Sequence, residues 1–178
     1  MKETNYSFEQ MLSGGHPNSL GKTVEVVEIV LGDRSKLAEL YQCYFSQDKV
    51  VRLRTSNAMK RICQQQPQWL VPNLDFFLNE VSEIEQASTQ WTLAQLFQWL
   101  DSYMTAEQQD RATKILQHNL TKYSDWIVLN TTMETLTKWS RHDLKLAKWL
   151  SPHLSRLSSD PRKSVASRAK KMFKLLSN

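Results

Sequence analysis

Apolar residues recur along this chain at helical spacing. Four segments align without gaps: VRLRTSNAMKRI (51–62), TQWTLAQLFQWL (89–100), VLNTTMETLTKW (128–139) and VASRAKKMFKLL (165–176), with starts 38, 39 and 37 residues apart. Counting the first residue of each as zero, positions 0, 4, 7, 8 and 11 are Val51, Thr55, Ala58, Met59 and Ile62 in the first and Thr89, Leu93, Leu96, Phe97 and Leu100 in the second. They are Val128, Thr132, Thr135, Leu136 and Trp139 in the third, and Val165, Ala169, Met172, Phe173 and Leu176 in the fourth. Those offsets share one face of a helix with 3.6 residues per turn. Thr55, Thr132 and Ala169 at position 4 are small enough for helices to approach closely. A second amphipathic segment precedes each: SKLAELYQCYF (35–45), QWLVPNLDFFLNEV (68–81), QDRATKILQHNL (109–120) and KLAKWLSPHLSRL (145–157). Pro72 and Pro152 are expected near the starts of theirs, where a missing N–H is tolerated. Short polar links join the partners, with Asp48, Asp125 and Asp160 as candidate helix caps. A further helix, Thr23 to Leu31, precedes the first pair.

Helix pairs repeating at about 38 residues predict an all-α chain folded as a right-handed α-solenoid. The expectation is a single domain over 1–178. It starts with a turn and capping helix (1–32), and four pairs follow at 33–64, 65–102, 103–141 and 142–178. Four glycines and five prolines in 178 residues argue against an all-β fold with many turns. The stretch DKVVRLRTSNAMKRI (48–62) resembles the second helix of a HEAT repeat, of the armadillo-type superfamily: an aspartate, then Val51-Arg52, a small residue four positions after the valine, and apolar residues onward. DPRKSVASRAKKMFKLL (160–176) resembles it again. The other two units share only the apolar skeleton, because Leu129 and Gln90 stand where an arginine would follow. The resemblance spans about 33–177 and implies a fold more than an activity.

One stretch suggests chemistry of another kind. SGGHPNSLGKTVE (13–25) looks like a phosphate-binding loop. In G-x-x-x-x-G-K-[ST], successive backbone N–H groups converge on phosphates. Gly21-Lys22-Thr23 fixes the frame and requires a glycine at 16, which is His16; Gly15 is one position early, and Pro17 removes an N–H. No β-branched strand precedes it. The stretch reads instead as a turn feeding a helix, with Gly14-Gly15 as a flexible lead-in and Ser19 or Thr23 as cap.

No other catalytic signature stands out, and no catalytic residue or cofactor is assigned. There is no G-x-S-x-G, H-E-x-x-H or C-x-x-C. The histidines lack helical ligand spacing, and Cys43 and Cys63 have no close partner, so no metal site is expected and both thiols read as reduced core residues. No window approaches 18 uninterrupted apolar residues, and the first ten residues do not resemble a signal peptide, so the expectation is a cytoplasmic protein without a membrane span.

A binding surface is the remaining expectation. In such arrays the second helices line the concave side. Offsets 2 and 6, opposite the apolar face, bring Asn57, Trp91, Gln95, Asn130 and Glu134 into a central patch, one aromatic among hydrogen-bonding groups, suited to a protein or peptide segment. Arg54, Thr92, Thr131 and Arg168 flank it at offset 3. Trp69, Trp99, Trp139 and Trp149 read as filler within or between repeats. Charge suggests a second partner. Residues 138–178 hold 11 Lys and Arg against Asp143 and Asp160, a balance of +9, whereas 1–137 carry −4. Arg162, Lys163, Arg168, Lys170, Lys171 and Lys174 are candidate contacts to nucleic-acid phosphates. The resemblance adds that some HEAT-like solenoids are glycosylases acting on alkylated DNA bases. Others act as lyases or isomerases on tetrapyrrole-bearing proteins. Neither brings a motif that matches this chain residue by residue. The sequence leaves the oligomeric state open.

Overall fold

A computed structural model describes residues 6–176. Those residues form ten α-helices joined by turns and short 3-10 segments, with no strand among them. The chain divides into two compact units, 1–73 and 74–178.

The first unit contains α1 (Phe8–Leu12), α2 (Thr23–Gly32), α3 (Leu37–Gln42) and α4 (Lys49–Gln65). Single 3-10 turns, Arg34–Lys36 and Cys43–Phe45, extend α3 at both ends, so the expected 35–45 helix is a composite. α4 is the centre of the unit and packs on α1, α2 and the turn after α3. Asp48 caps it, accepting a hydrogen bond from the Val50 N–H at 2.8 Å. α1 is an element the apolar periodicity did not predict. Ser7 and Gln10 close a reciprocal capping box around its first turn, and Phe8, Met11 and Leu12 are buried.

The second expected pair departs furthest from a regular helix. The 68–81 segment breaks into 3-10 turns at Pro67–Trp69 and Val71–Asn73, followed by α5 (Leu74–Asn79) and another turn, Val81–Glu83. Pro72 is the physical reason: it lacks an N–H and disfavours helical backbone at Val71.

The second unit continues with α6 (Ala87–Trp99), α7 (Ala106–Lys122), α8 (Trp126–Ser140), α9 (Leu144–Leu157) and α10 (Lys163–Leu176). α8 is its hub, packed against α6, α7, α9 and α10. Thr105 and Gln108 form a capping box on α7, and Asp125 and Asp143 cap α8 and α9, each accepting from two backbone N–H groups. Asp160 does not cap α10. It closes the turn before it by accepting from the Arg162 N–H at 2.9 Å. Pro152 lies inside α9, not near its start, and leaves the Lys148 carbonyl without its usual donor.

The helix register follows the apolar pattern. In α4, α6 and α8 every residue at positions 0, 4, 7, 8 and 11 is buried. In α10 Val165, Ala169 and Met172 are buried, while Phe173 remains 37% exposed. Position 4 explains the close packing: Thr55, Thr132 and Ala169 are wholly buried, and a neighbouring threonine, Thr135, donates across from α8 to the Ala94 carbonyl of α6 at 2.9 Å. No helix among the described residues is long and apolar enough to cross a membrane.

Candidate functional site

The glycine-containing loop, 13–21, has the opposite polarity to a phosphate cradle. Arg54, on α4, reaches into it and is 2% exposed, so it is not a flank residue of an open surface. Its Nη1 donates to the carbonyls of Leu12 (2.7 Å), Gly14 (2.7 Å) and Ser13 (3.2 Å). Its Nη2 donates to His16 O (3.2 Å) and its Nε to Ser19 O (3.1 Å). Carbonyl oxygens thus converge on a cation, where a nucleotide loop would turn N–H groups toward an anion. Gly14 and Gly15, at φ +69° and +71°, give the backbone its curvature. At Gly21, φ is +51° and an added Cβ would lie 2.8 Å from the guanidinium carbon. A side chain at 21 would force the buried guanidinium to move. Neither expected cap operates: Ser19 Oγ accepts from the Gly21 N–H, Thr23 is the first residue of α2, and Lys22 precedes it without a side-chain cap.

The expected protein-binding residues are distributed as follows. Asn57 belongs to the first unit, is half-buried and accepts from Arg61 Nε at 2.8 Å. The other four lie in the second unit. Trp91 and Gln95 on α6 are half-buried, and Asn130 on α8 is only 8% exposed. The flank residues Thr92 and Thr131 are buried outright. Gln95 Oε1 and Asn130 Oδ1 are buried and have no hydrogen-bond donor. Glu134, half-exposed on α8, forms an ion pair with Arg168 of α10. A residue expected for a protein partner and one expected for phosphates therefore neutralise each other.

A second arginine of the basic set is also committed. Arg162 holds both carboxylate oxygens of Asp160 at 2.8 Å and donates to the Ser124 carbonyl, linking the turn before α10 to the turn before α8. These hydrogen bonds hold the Asp160 carboxyl well below the ordinary carboxylate range, at about 2. Lys163, Lys170, Lys171 and Lys174 remain exposed. At 100° per residue Lys163, Lys170 and Lys174 form one stripe.

Other side chains that attract chemical interest serve packing. Cys43 and Cys63 are buried, and burial pushes both thiols up to about 12. No group of three or more His, Cys, Asp and Glu side chains is placed to hold a metal ion among the described residues. Gln90 and Asn119, which the apolar pattern did not single out, form a buried polar junction. Gln90 Nε2 donates to the Ser82 and Ile84 carbonyls at 2.9 Å, and Asn119 Nδ2 donates to Gln90 Oε1 at 2.8 Å. Of the four tryptophans expected as filler only Trp139 is buried; Trp69, Trp99 and Trp149 are half-buried. A scan of the chain against models of protein families finds no match, and comparison with curated proteins finds none either.

Proposed function

We propose that this chain is a non-catalytic binding module of the cell interior, a short HEAT-like α-solenoid that holds an extended segment of a protein partner. In this reading each of α4, α6, α8 and α10 is the second helix of a pair, and Trp91, Gln95, Asn130 and Glu134 of the second unit receive the segment. The observation that carries it is Trp91, a large aromatic left half-buried on α6 one helical turn from the half-buried Gln95. The half-buried Trp91 supplies the apolar anchor.

The stripe of exposed lysines on α10 favours one alternative, a nucleic-acid partner bound through phosphates. Partner capture by the intact chain separates the two readings. Trp91→Ala with Glu134→Ala abolishes capture of a protein partner while the far-UV helical signal persists, whereas Lys170→Glu with Lys174→Glu leaves capture intact. Unaltered capture by the first variant sinks the protein-segment reading. If binding instead tracks the lysines and log affinity falls with log salt at a slope of about −3, three phosphate contacts, one for each lysine of the stripe, are at work.

A further inference from the structure

Two helices, one in each unit, present faces of opposite charge that also leave apolar side chains in water. On α2, Val26, Val27 and Val30 are buried, and the other face presents Val24 (42% exposed), Glu25, Glu28 and Ile29 (38% exposed) to solvent. Leu20, just before the helix, is exposed as well. α2 contains no lysine or arginine. Lys22, the residue before it, stands 3.9 Å from Glu25, whereas Glu28 has no ion pair among the described residues. Asp33 closes the helix and adds a third negative charge. Hydrogen bonds from the Ser35 hydroxyl and N–H hold its carboxyl below the ordinary carboxylate range.

α10 is the counterpart. It contains no acidic residue. Arg168 is paired with Glu134, but Lys163, Lys170, Lys171 and Lys174 are exposed and have no ion pair among the described residues. Phe173 and Leu175, each 37% exposed, lie on either side of the lysine stripe. Charge decides which of these faces can meet. Two α2 faces would set glutamates against glutamates, and two α10 faces lysines against lysines. Only α2 against α10 brings opposite charges together, and it covers Val24, Ile29, Phe173 and Leu175 in the same contact. An acidic partner of another kind would answer α10 and leave the α2 face in water. A second copy of this chain answers both.

We infer that copies of this chain associate head to tail, the α2 face of one copy on the α10 face of the next. Such a heterologous contact leaves a complementary face free on each outer copy, so copies add in series or close into a ring. The exposed face of a ten-residue helix is smaller than a standard protein interface, so the association is weak and sensitive to salt. This contact does not use the Trp91–Glu134 face.

Sedimentation velocity of the full chain tests this with paired charge inversions. For the parent, the weight-average sedimentation coefficient rises between about 10 and 500 µM protein at low salt, and falls to the monomer value at about 0.5 M salt. Glu25→Lys with Glu28→Lys makes both faces basic. Lys170→Glu with Lys171→Glu and Lys174→Glu makes both acidic. Each variant alone stays monomeric with its far-UV helical signal intact. An equimolar mixture of the two restores association, with a dissociation constant within about twofold of the parent's, because each basic face again meets an acidic one. A parent whose sedimentation coefficient does not change with concentration overturns the assignment. If that monomeric parent also retains a single-stranded oligonucleotide through the α10 lysines, the basic face belongs to nucleic acid instead. Association that salt or either inversion leaves unchanged, or a mixture of folded variants that stays monomeric, overturns it equally.

Discussion

Two regions, one in each unit, bury polar groups in opposite ways. In the first, the loop 13–21 and Arg54 form a closed account: a fully buried cation meets five backbone carbonyls, and each gains a partner that water would otherwise supply. In the second, α6 and α8 bury Thr89, Thr92, Gln95, Asn130, Thr132 and Thr137 with side-chain oxygens that no partner among the described residues engages. A satisfied buried polar group is a structural fastening, because removing one side orphans the other. An unsatisfied one is a weakness that a ligand can relieve or that an apolar substitution can remove. The difference directs attention away from the conspicuous glycines and toward a threonine- and amide-rich helix interface.

Arg54→Ala is the most severe way to break this contrast. It removes five hydrogen bonds and leaves loop carbonyls unpaired, so a loss of about 3–5 kcal/mol in urea unfolding is expected. A loss below 1 kcal/mol would show that water replaces the guanidinium without difficulty. Gly21→Ala attacks the same fastening from the other side. Its Cβ meets the guanidinium at 2.8 Å from a positive φ, for an expected cost of about 1–3 kcal/mol by the same measurement. Thr132→Val sharpens the other half. It exchanges an orphan hydroxyl for a methyl of similar shape and is expected to leave stability unchanged within about 0.5 kcal/mol, or to raise it. A loss above 1 kcal/mol would mean that the hydroxyl has a partner. The gentlest test concerns pH. The Asp160 carboxyl is held at about 2 by Arg162. A carboxyl lowered on folding contributes stability above its unfolded value, near 4, and that contribution disappears as pH falls through 2. The unfolding midpoint of Asp160→Asn should therefore lie below that of the parent at neutral pH and merge with it between about pH 4 and 2.

Much of the helical framework was legible in the residues. Positions 0, 4, 7, 8 and 11 of 51–62, 89–100 and 128–139 are all buried because burial of one helix face demands that spacing. α1 carried a readable signal that periodicity over longer windows obscures: Ser7 and Gln10 at capping-box spacing, then Phe8, Met11 and Leu12 at i, i+3 and i+4. Pro72 also announced its break, since its restriction of Val71 is local. The loop's mismatch with a nucleotide motif was visible in His16 and Pro17. Its actual filling was not, because Arg54 lies 35 to 42 residues from the carbonyls it engages. At the candidate surface, offset arithmetic placed Trp91 and Gln95 opposite the apolar face, on an open patch, whereas both are half-buried. It did not anticipate the burial of Asn130, Thr131 and Thr137, which depends on how closely neighbouring helices approach α8. Pairing of Glu134 with Arg168 is likewise a relation between helices that neither local sequence contains.

The separation between Arg54 and its carbonyls also has a kinetic meaning. The loop has few fastenings of its own beyond short-range turns, so its shape depends on a side chain supplied by a helix that forms much later along the chain. Closing that span has an entropic cost that only completed packing of α4 offsets. Amide protons of residues 13–21 that are shielded in the native state should therefore exchange with the opening of α4, as one cooperative unit, although the loop lies on the surface. During synthesis the glycine segment would leave the ribosome shapeless and acquire its form when α4 arrives.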